Sequence, residues 1–386
     1  MVADKIGVGM VGVTPGRSWG ALAHLPALEV LPDFEVTALS TTRMESAQAA
    51  AAHFGVPSAY EGHQSLIAAD EVDLVAVAVK VPSHFEIVMA ALQKGKAVYC
   101  EWPLGNSVAE AELMAETARK AGVRNFVGLQ ARSSPLINYV RDLVAEGYVG
   151  EVLSTSMIAS GINWGAVVDQ RDAYTQNPAN GATMLTIPFG HSIDALCYCL
   201  GELVDVSAIE TIRRPSYTLL EEGMSLPIGG APQFAAIGKG ETLPTGVADQ
   251  LAVHGHLESG AVASLHFRGG SSRGTNLLWE INGTEGDLQI TGVGGLVEML
   301  DLYLAGARHN ESDVTPLPIP ASYDLAPQDA PGGFAANVTQ AYARVARDMR
   351  DGTALCPTFD DAAKRHRLLD AVALAARSGK RVTIGR

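Results

Sequence analysis

Apolar residues are arranged differently in the two parts of the chain. In the first third they form short continuous runs at 6–13, 34–39 and 72–79. Strands covered on both faces, as in a parallel sheet, read this way. Between and after these runs lie Ala-rich stretches with helical character at 44–54, 65–69 and 84–94. Strands alternating with helices predict an α/β fold with a doubly wound parallel sheet of the Rossmann type.

After Gly150 the pattern changes to period-two or β-rich runs at 152–158, 249–257, 260–267, 277–282 and 287–291, with hairpin turns expected at Ser259-Gly260 and Asn282-Gly283. Strands clustered without intervening helices predict a large, mostly antiparallel open sheet in an α+β domain. Residues 333–351 and 359–378 read as amphipathic helices that pack back on the first domain. The division expected is therefore 1–132 and 133–386, with long Pro/Gly-rich loops at 225–245 and 313–333.

Where the first strand ends, the chain continues as Gly12-Val13-Thr14-Pro15-Gly16-Arg17-Ser18-Trp19-Gly20 before helix formers resume. Glycines at such a turn let backbone amides approach a pyrophosphate, and the next helix presents its positive end to it. Gly12, Thr14, Gly16, Ser18 and Trp19 are the candidate contacts, although the spacing is wider than G-x-G-x-x-G. Cofactor choice is read at the end of the second strand, Ser40-Thr41-Thr42-Arg43. An acidic residue there would bind the ribose hydroxyls of NAD; here hydroxyls and a guanidinium are available for a 2′-phosphate, which favours NADP(H) over NAD(H).

Composition narrows the function classes. The 386 residues are 47% hydrophobic, enough for two domains with a sizeable core, and the formal net charge of -14 argues against a nucleic-acid surface. No apolar run spans a bilayer and no charged-then-apolar leader opens the chain, so a cytoplasmic location is expected. Cys100, Cys197, Cys199 and Cys356 are scattered, and the Cys197-x-Cys199 pair lacks partners at zinc spacing, so free thiols and no metal are expected.

Several ordered motifs carry a resemblance. They are the glycine loop with His24-Leu25-Pro26-Ala27, Val81-Pro82-Ser83-His84, Glu101-Trp102-Pro103, Gly128 to Pro135 with Gln130 and Arg132, Gly147 to Glu151, Gly190-His191-Ser192-Ile193-Asp194, and Asn282 to Leu288. In this order they make the sequence similar to the glucose-fructose oxidoreductase/inositol dehydrogenase/MocA family, and within it to the branch of the yeast galactose-regulon repressor. The resemblance covers nearly the whole chain. It implies that Lys80, Val81, His84, Glu101, Trp102, Pro103, Gln130 and Arg132 line the cofactor side. It also implies a homodimer or homotetramer formed through the C-terminal sheet, for which Leu265, Phe267, Leu277 and Trp279 are the exposed apolar positions expected.

Family enzymes use a lysine in Glu-Lys-Pro and an Asp-x-x-x-His pair. Here the lysine position is Trp102 and the aspartate position is Ile187, whereas His191 remains. An imidazole titrating near neutrality suits proton exchange with an alkoxide, and Asp194 is placed to orient it. Lys80, at the end of the third strand, either substitutes for the missing amine or serves as an ion-pair or cofactor contact. Arg132 either touches substrate or holds the crossover between domains. Trp102 is a stacking wall for the nicotinamide, an apolar surface for a ring-shaped substrate, or a packing residue in a chain that has lost catalysis; Trp164 and Tyr174 are further candidate walls for a small-molecule substrate. Two functions follow: an NADP-dependent oxidoreductase acting on a sugar, polyol or related cyclic hydroxy/keto compound, with His191 as acid/base, or a catalytically inactive NADP-binding regulator.

Overall fold

The computed structural model describes residues 5–16, 18–224 and 238–385. The chain divides into two compact units, one made of Met1–Ser133 and Asp324–His366, the other of Ser134–Tyr323 and Arg367–Arg386. The last boundary, between His366 and Arg367, falls inside the helix Phe359–Ser378.

Unit 1 is built on six parallel strands: β1 (Ile6–Val11), β2 (Phe34–Thr41), β3 (Ser58–Glu61), β4 (Leu74–Val77), β5 (Ala97–Glu101) and β6 (Asn125–Gly128). Their order is β3-β2-β1-β4-β5-β6, so the sheet winds outward in both directions from β1. That reversal places a crevice at the carboxyl end of β1, where open α/β sheets bind ligands. The burial pattern explains the apolar runs: every residue of β1, β4 and β5 is buried. The helix Ala336–Asp351 belongs to this unit, and its Val338, Tyr342 and Val345 join Val8, Met10, Leu39, Leu74 and Tyr99 in one core. Tyr342 stacks on Tyr99 with ring centroids 5.0 Å apart. This segment, counted with 133–386 in the sequence but expected to pack back on the first domain, joins the core of unit 1.

Unit 2 carries a sheet of nine strands among the described residues, with Val152–Gly161 at its centre. This strand runs parallel to Val262–Gly269 and antiparallel to Leu277–Gly283, and the remaining pairs are antiparallel. The expected strands are present, but the faces need a correction. Leu265, Phe267, Leu277 and Trp279 are at most 2% exposed and form the core side, with the Trp279 indole donating to Thr155 Oγ1 at 2.9 Å. The residues between them point outward, so Ile158, Ile209, Val262 and Tyr303 supply the exposed apolar positions. Composition does not say which of two alternating sets faces inward; packing against a helix does.

One turn and one loop also differ from expectation. The second hairpin turns at Thr284-Glu285, because Gly283 still belongs to the strand and its α-carbon lies too close to the Val149 carbonyl for any side chain. Residues 240–244 of the expected loop form the strand Gly240–Pro244, paired with Ser216–Leu220 in a separate small sheet. The part at 225–237 lies outside the described residues.

Candidate functional site

The glycine loop of unit 1 is shaped by close approach. Gly12 adopts φ +88° and a β-carbon there would lie 2.2 Å from Val79 Cγ1, so only glycine lets β1 pass this close to the end of β4. Gly16, at φ +67°, has no neighbour within 4 Å of the place a β-carbon would take, and its backbone faces open space. Ser18 holds the loop between them, its hydroxyl accepting from Thr14 N at 2.9 Å and Ala21 N at 3.3 Å and donating to Thr14 O at 3.1 Å. Its role among the predicted contacts is thus to brace the loop. The Trp19 ring leans on Phe334 at 5.7 Å, and its indole nitrogen has no hydrogen-bond partner among the described residues.

At the end of β2, Gly12 N donates to Ser40 O at 2.8 Å, tying the loop to the predicted cofactor-selecting segment. The Ser40 hydroxyl is fully buried and has no partner among the described residues. Thr41 turns its hydroxyl to Arg43 O at 2.9 Å and to Ser46, shaping the start of the next helix. Thr42 and Arg43 are exposed. A glycine cradle and orphaned donors at its rim fit a dinucleotide.

Around β5 the structure shows a closed polar network. Glu101 Oε1 accepts from His24 Nε2 at 2.9 Å, and both carboxylate oxygens accept from Gln130 Nε2, at 2.9 and 2.7 Å. With its Nε2 proton committed to Glu101, His24 accepts at Nδ1 from the Tyr342 hydroxyl, 2.8 Å away. Gly128 on β6 is the only residue type that fits beside it, since a β-carbon would stand 2.8 Å from the Glu101 carboxylate. Glu101 and Gln130, predicted as cofactor contacts, are therefore anchored from beneath by His24 and Tyr342, which sequence reasoning missed. The His24-Leu25-Pro26-Ala27 motif was the available signal.

Trp102 follows on the same strand end, 5% exposed, with its ring 4.7 Å from that of His366. Burial, with the His84 charge adding to it, pushes the His366 ring down to about 4. His84 sits with its ring nitrogens 2.9 Å from Pro103 O and 3.0 Å from Val79 O. Burial holds it below the usual histidine range, while the two carbonyls and Glu101 pull the other way. It ties the β4 and β5 ends together, which sets Val81 and Pro103 in place. Lys80 is exposed at the start of the short turn Val81–Ser83. Arg132 pairs with Asp361 at 3.0 Å, and Asp361 also accepts from Thr358 N at 2.8 Å, so this arginine fastens the start of the helix Phe359–Ser378.

In unit 2, His191 lies in the first turn of the helix Pro188–Leu200 and is 5% exposed. Its Nε2 is 4.0 Å from Oε1 of Glu298, which is 3% exposed and comes from the turn after the strand Gly286–Gly292. Asp194, one turn further on, is fully buried. Trp164 is 4% exposed and its carbonyl packs against Gly269, where a β-carbon would be only 1.9 Å away. Tyr174 is half-buried, and burial, with Asp172 beside it, pushes its hydroxyl up to about 12. Cys100, Cys197 and Cys199 are buried free thiols. Among the described residues no helix is long and apolar enough to cross a membrane, and no group of three or more His, Cys, Asp or Glu is placed to hold a metal.

A doubly wound sheet with this loop defines a dinucleotide-binding domain, and residues 6–129 match the family model "Oxidoreductase family, NAD-binding Rossmann fold" (GFO_IDH_MocA). The chain thus carries the NAD-binding domain of this oxidoreductase family, and its second part, residues 135–292, matches the model "Gal80p, C-terminal domain". It is 33% identical over 238 residues to dehydrogenase aclE of Aspergillus oryzae, covering 59% of this chain and 64% of that one. It is 29% identical over 326 residues to the galactose/lactose metabolism regulatory protein GAL80 of Saccharomyces cerevisiae, covering 80% and 72%. The crystal structure of a super-repressor mutant of Gal80p from the same yeast superposes with a TM-score of 0.85 at 25% identity, covering 99% of each chain.

Proposed function

We propose that the chain is an NADP-dependent oxidoreductase that moves hydride between the nicotinamide and a carbinol or carbonyl carbon of a sugar, polyol or related cyclic hydroxy/keto compound. The observation that carries this reading is the glycine cradle at Gly12 with the buried, unpartnered Ser40 hydroxyl at its edge. Exposed Arg43 supports the phosphorylated cofactor, since a guanidinium pairs well with a 2′-phosphate. When bound, the nicotinamide supplies or accepts the hydride. His191 exchanges the proton of the reacting oxygen, Trp102 presents an apolar wall, and Lys80 is an electrostatic contact at the strand edge. Dehydrogenase aclE among the relatives favours catalysis. The experiment is NADPH and NADH oxidation, and the reverse, over a panel of sugars, polyols and cyclic ketones, with Arg43→Ala and His191→Ala beside the native protein. The reading requires Arg43→Ala to weaken NADPH binding about tenfold or more with NADH little changed, and His191→Ala to abolish turnover.

The GAL80 relatives favour a second reading, a cofactor-binding regulator without catalysis. Trp102 at the lysine position supports it, as does its packing against His366. Tight NADPH binding with no reaction over the whole panel is the outcome that selects it. Under either reading we propose self-association through the outer face of the nine-stranded sheet, where Ile158, Ile209 and Val262 are 40%, 64% and 50% exposed. Ile209→Lys is then expected to yield monomers by light scattering.

A further inference from the structure

The turn that follows the strand Gly286–Gly292 is bound to the helix carrying His191 at adjacent positions. Gly295 N donates to Ser160 O at 2.9 Å, and Gly295 O accepts from the Ser192 hydroxyl at 3.0 Å. The backbone comes in so close that a β-carbon on Gly295 would stand 2.7 Å from Ala159 Cβ. Past this point Leu300 N closes on Leu296 O at 3.0 Å, and Leu296 and Val297 are buried beside Glu298. The same two segments thus meet at Ser192 with Gly295 and again at His191 with Glu298, where the imidazole and carboxylate are 4.0 Å apart and nearly excluded from water.

We propose that Glu298 is the positioning carboxylate of His191, supplied from a separate segment in place of the aspartate that Ile187 displaces on the helix itself. The assignment deepens the oxidoreductase reading and rests on it for its catalytic meaning. With Nε2 turned to Glu298, Nδ1 is the nitrogen assigned to the reacting oxygen. In the oxidising direction the substrate O–H bond breaks and its proton passes to Nδ1. A bound nicotinamide would accept the hydride as the carbinol C–H bond breaks and the C=O double bond forms, while the residues of this chain handle only the proton. The ring is then an imidazolium whose Nε2–H points at the Glu298 carboxylate, which stabilises it as a buried acid does in other acid–base pairs. A gap of 4.0 Å is too long for a hydrogen bond, and such pairs often tighten when substrate binds.

The test does not need a substrate. Full-length protein labelled with ¹⁵N-histidine is compared at neutral pH as native, Glu298→Gln and Glu298→Asp, with the His191 ring signals identified by their loss in His191→Gln. Removal of the carboxylate is expected to change the ratio of protonated to neutral His191 by about threefold or more, with the signals of His24 and His84 unmoved. Glu298→Asp, which keeps the charge and withdraws it by one methylene, is expected to give an intermediate change, and it serves alone if Glu298→Gln does not fold. Unchanged His191 signals in a variant with native melting overturn the pairing. A shifted signal in a protein that turns over nothing on the panel supports the pairing and removes only the oxidoreductase reading. Turnover that depends on His191 but not on Glu298, with unchanged signals, leaves that reading and removes the pairing. Where turnover is found, kcat should fall about tenfold or more in Glu298→Gln, with KM little changed.

Discussion

Each unit buries a glutamate beside a histidine, and the two pairs are held differently. Glu101 and His24 are 2.9 Å apart, Gln130 engages both carboxylate oxygens, and Tyr342 occupies the other ring nitrogen. Both carboxylate oxygens and both imidazole nitrogens there have partners at hydrogen-bond distance. Glu298 and His191 stand 4.0 Å apart on segments joined through the neighbouring residues instead. The contrast is between a pair locked at hydrogen-bond distance in a wider network and a pair whose partners stand too far apart for a hydrogen bond.

The largest expected effect comes from breaking the tight pair. Glu101→Ala leaves His24 and Gln130 buried without their acceptor and should cost about 3–5 kcal/mol in urea unfolding. A loss under about 1 kcal/mol would mean that the network is not structural. Next is the acid response set by His366, whose pKa is lowered from 6.5 to about 4 by burial. A histidine with a lowered folded-state value stabilises the protein fully above about pH 6.5, and that contribution is lost as pH falls through about 4. At 1.36 kcal/mol per unit this is worth about 3 kcal/mol. His366→Gln should therefore lose less stability than the native protein between pH 7 and 4, and parallel urea curves for the two across that range would refute it. Gly128→Ala puts a methyl group against the Glu101 carboxylate and should cost about 1–3 kcal/mol, read as a lowered urea midpoint. The smallest effect is on the loose pair: Glu298→Gln should change stability by less than about 1 kcal/mol, and a loss as large as that of Glu101→Ala would erase the distinction.

Much of this molecule is written locally. Continuous apolar runs identify β1 and β4 because both faces of these parallel strands are covered, and the glycine loop after β1 is legible because few residues tolerate its geometry. The acid/base candidate His191 was visible through its motif at a helix start. The face of the second sheet was not. Leu265, Phe267, Leu277 and Trp279 read from the sequence as a surface that pairs with a second copy, but they fill the core side of the sheet instead. Nor was Glu298 legible, lying 107 positions after His191 in a turn whose own sequence signals nothing.

The sequence by itself determined two kinds of sheet, the dinucleotide loop, the absence of an acidic residue at 40–43 and the survival of His191, since each depends on residue type over a few neighbouring positions. The tertiary structure alone decided that Glu101 is held by His24, Gln130 and Tyr342, and that Glu298 comes within 4.0 Å of His191 from another segment. These depend on which residues distant in sequence are brought within a few ångströms, which only the folded chain decides.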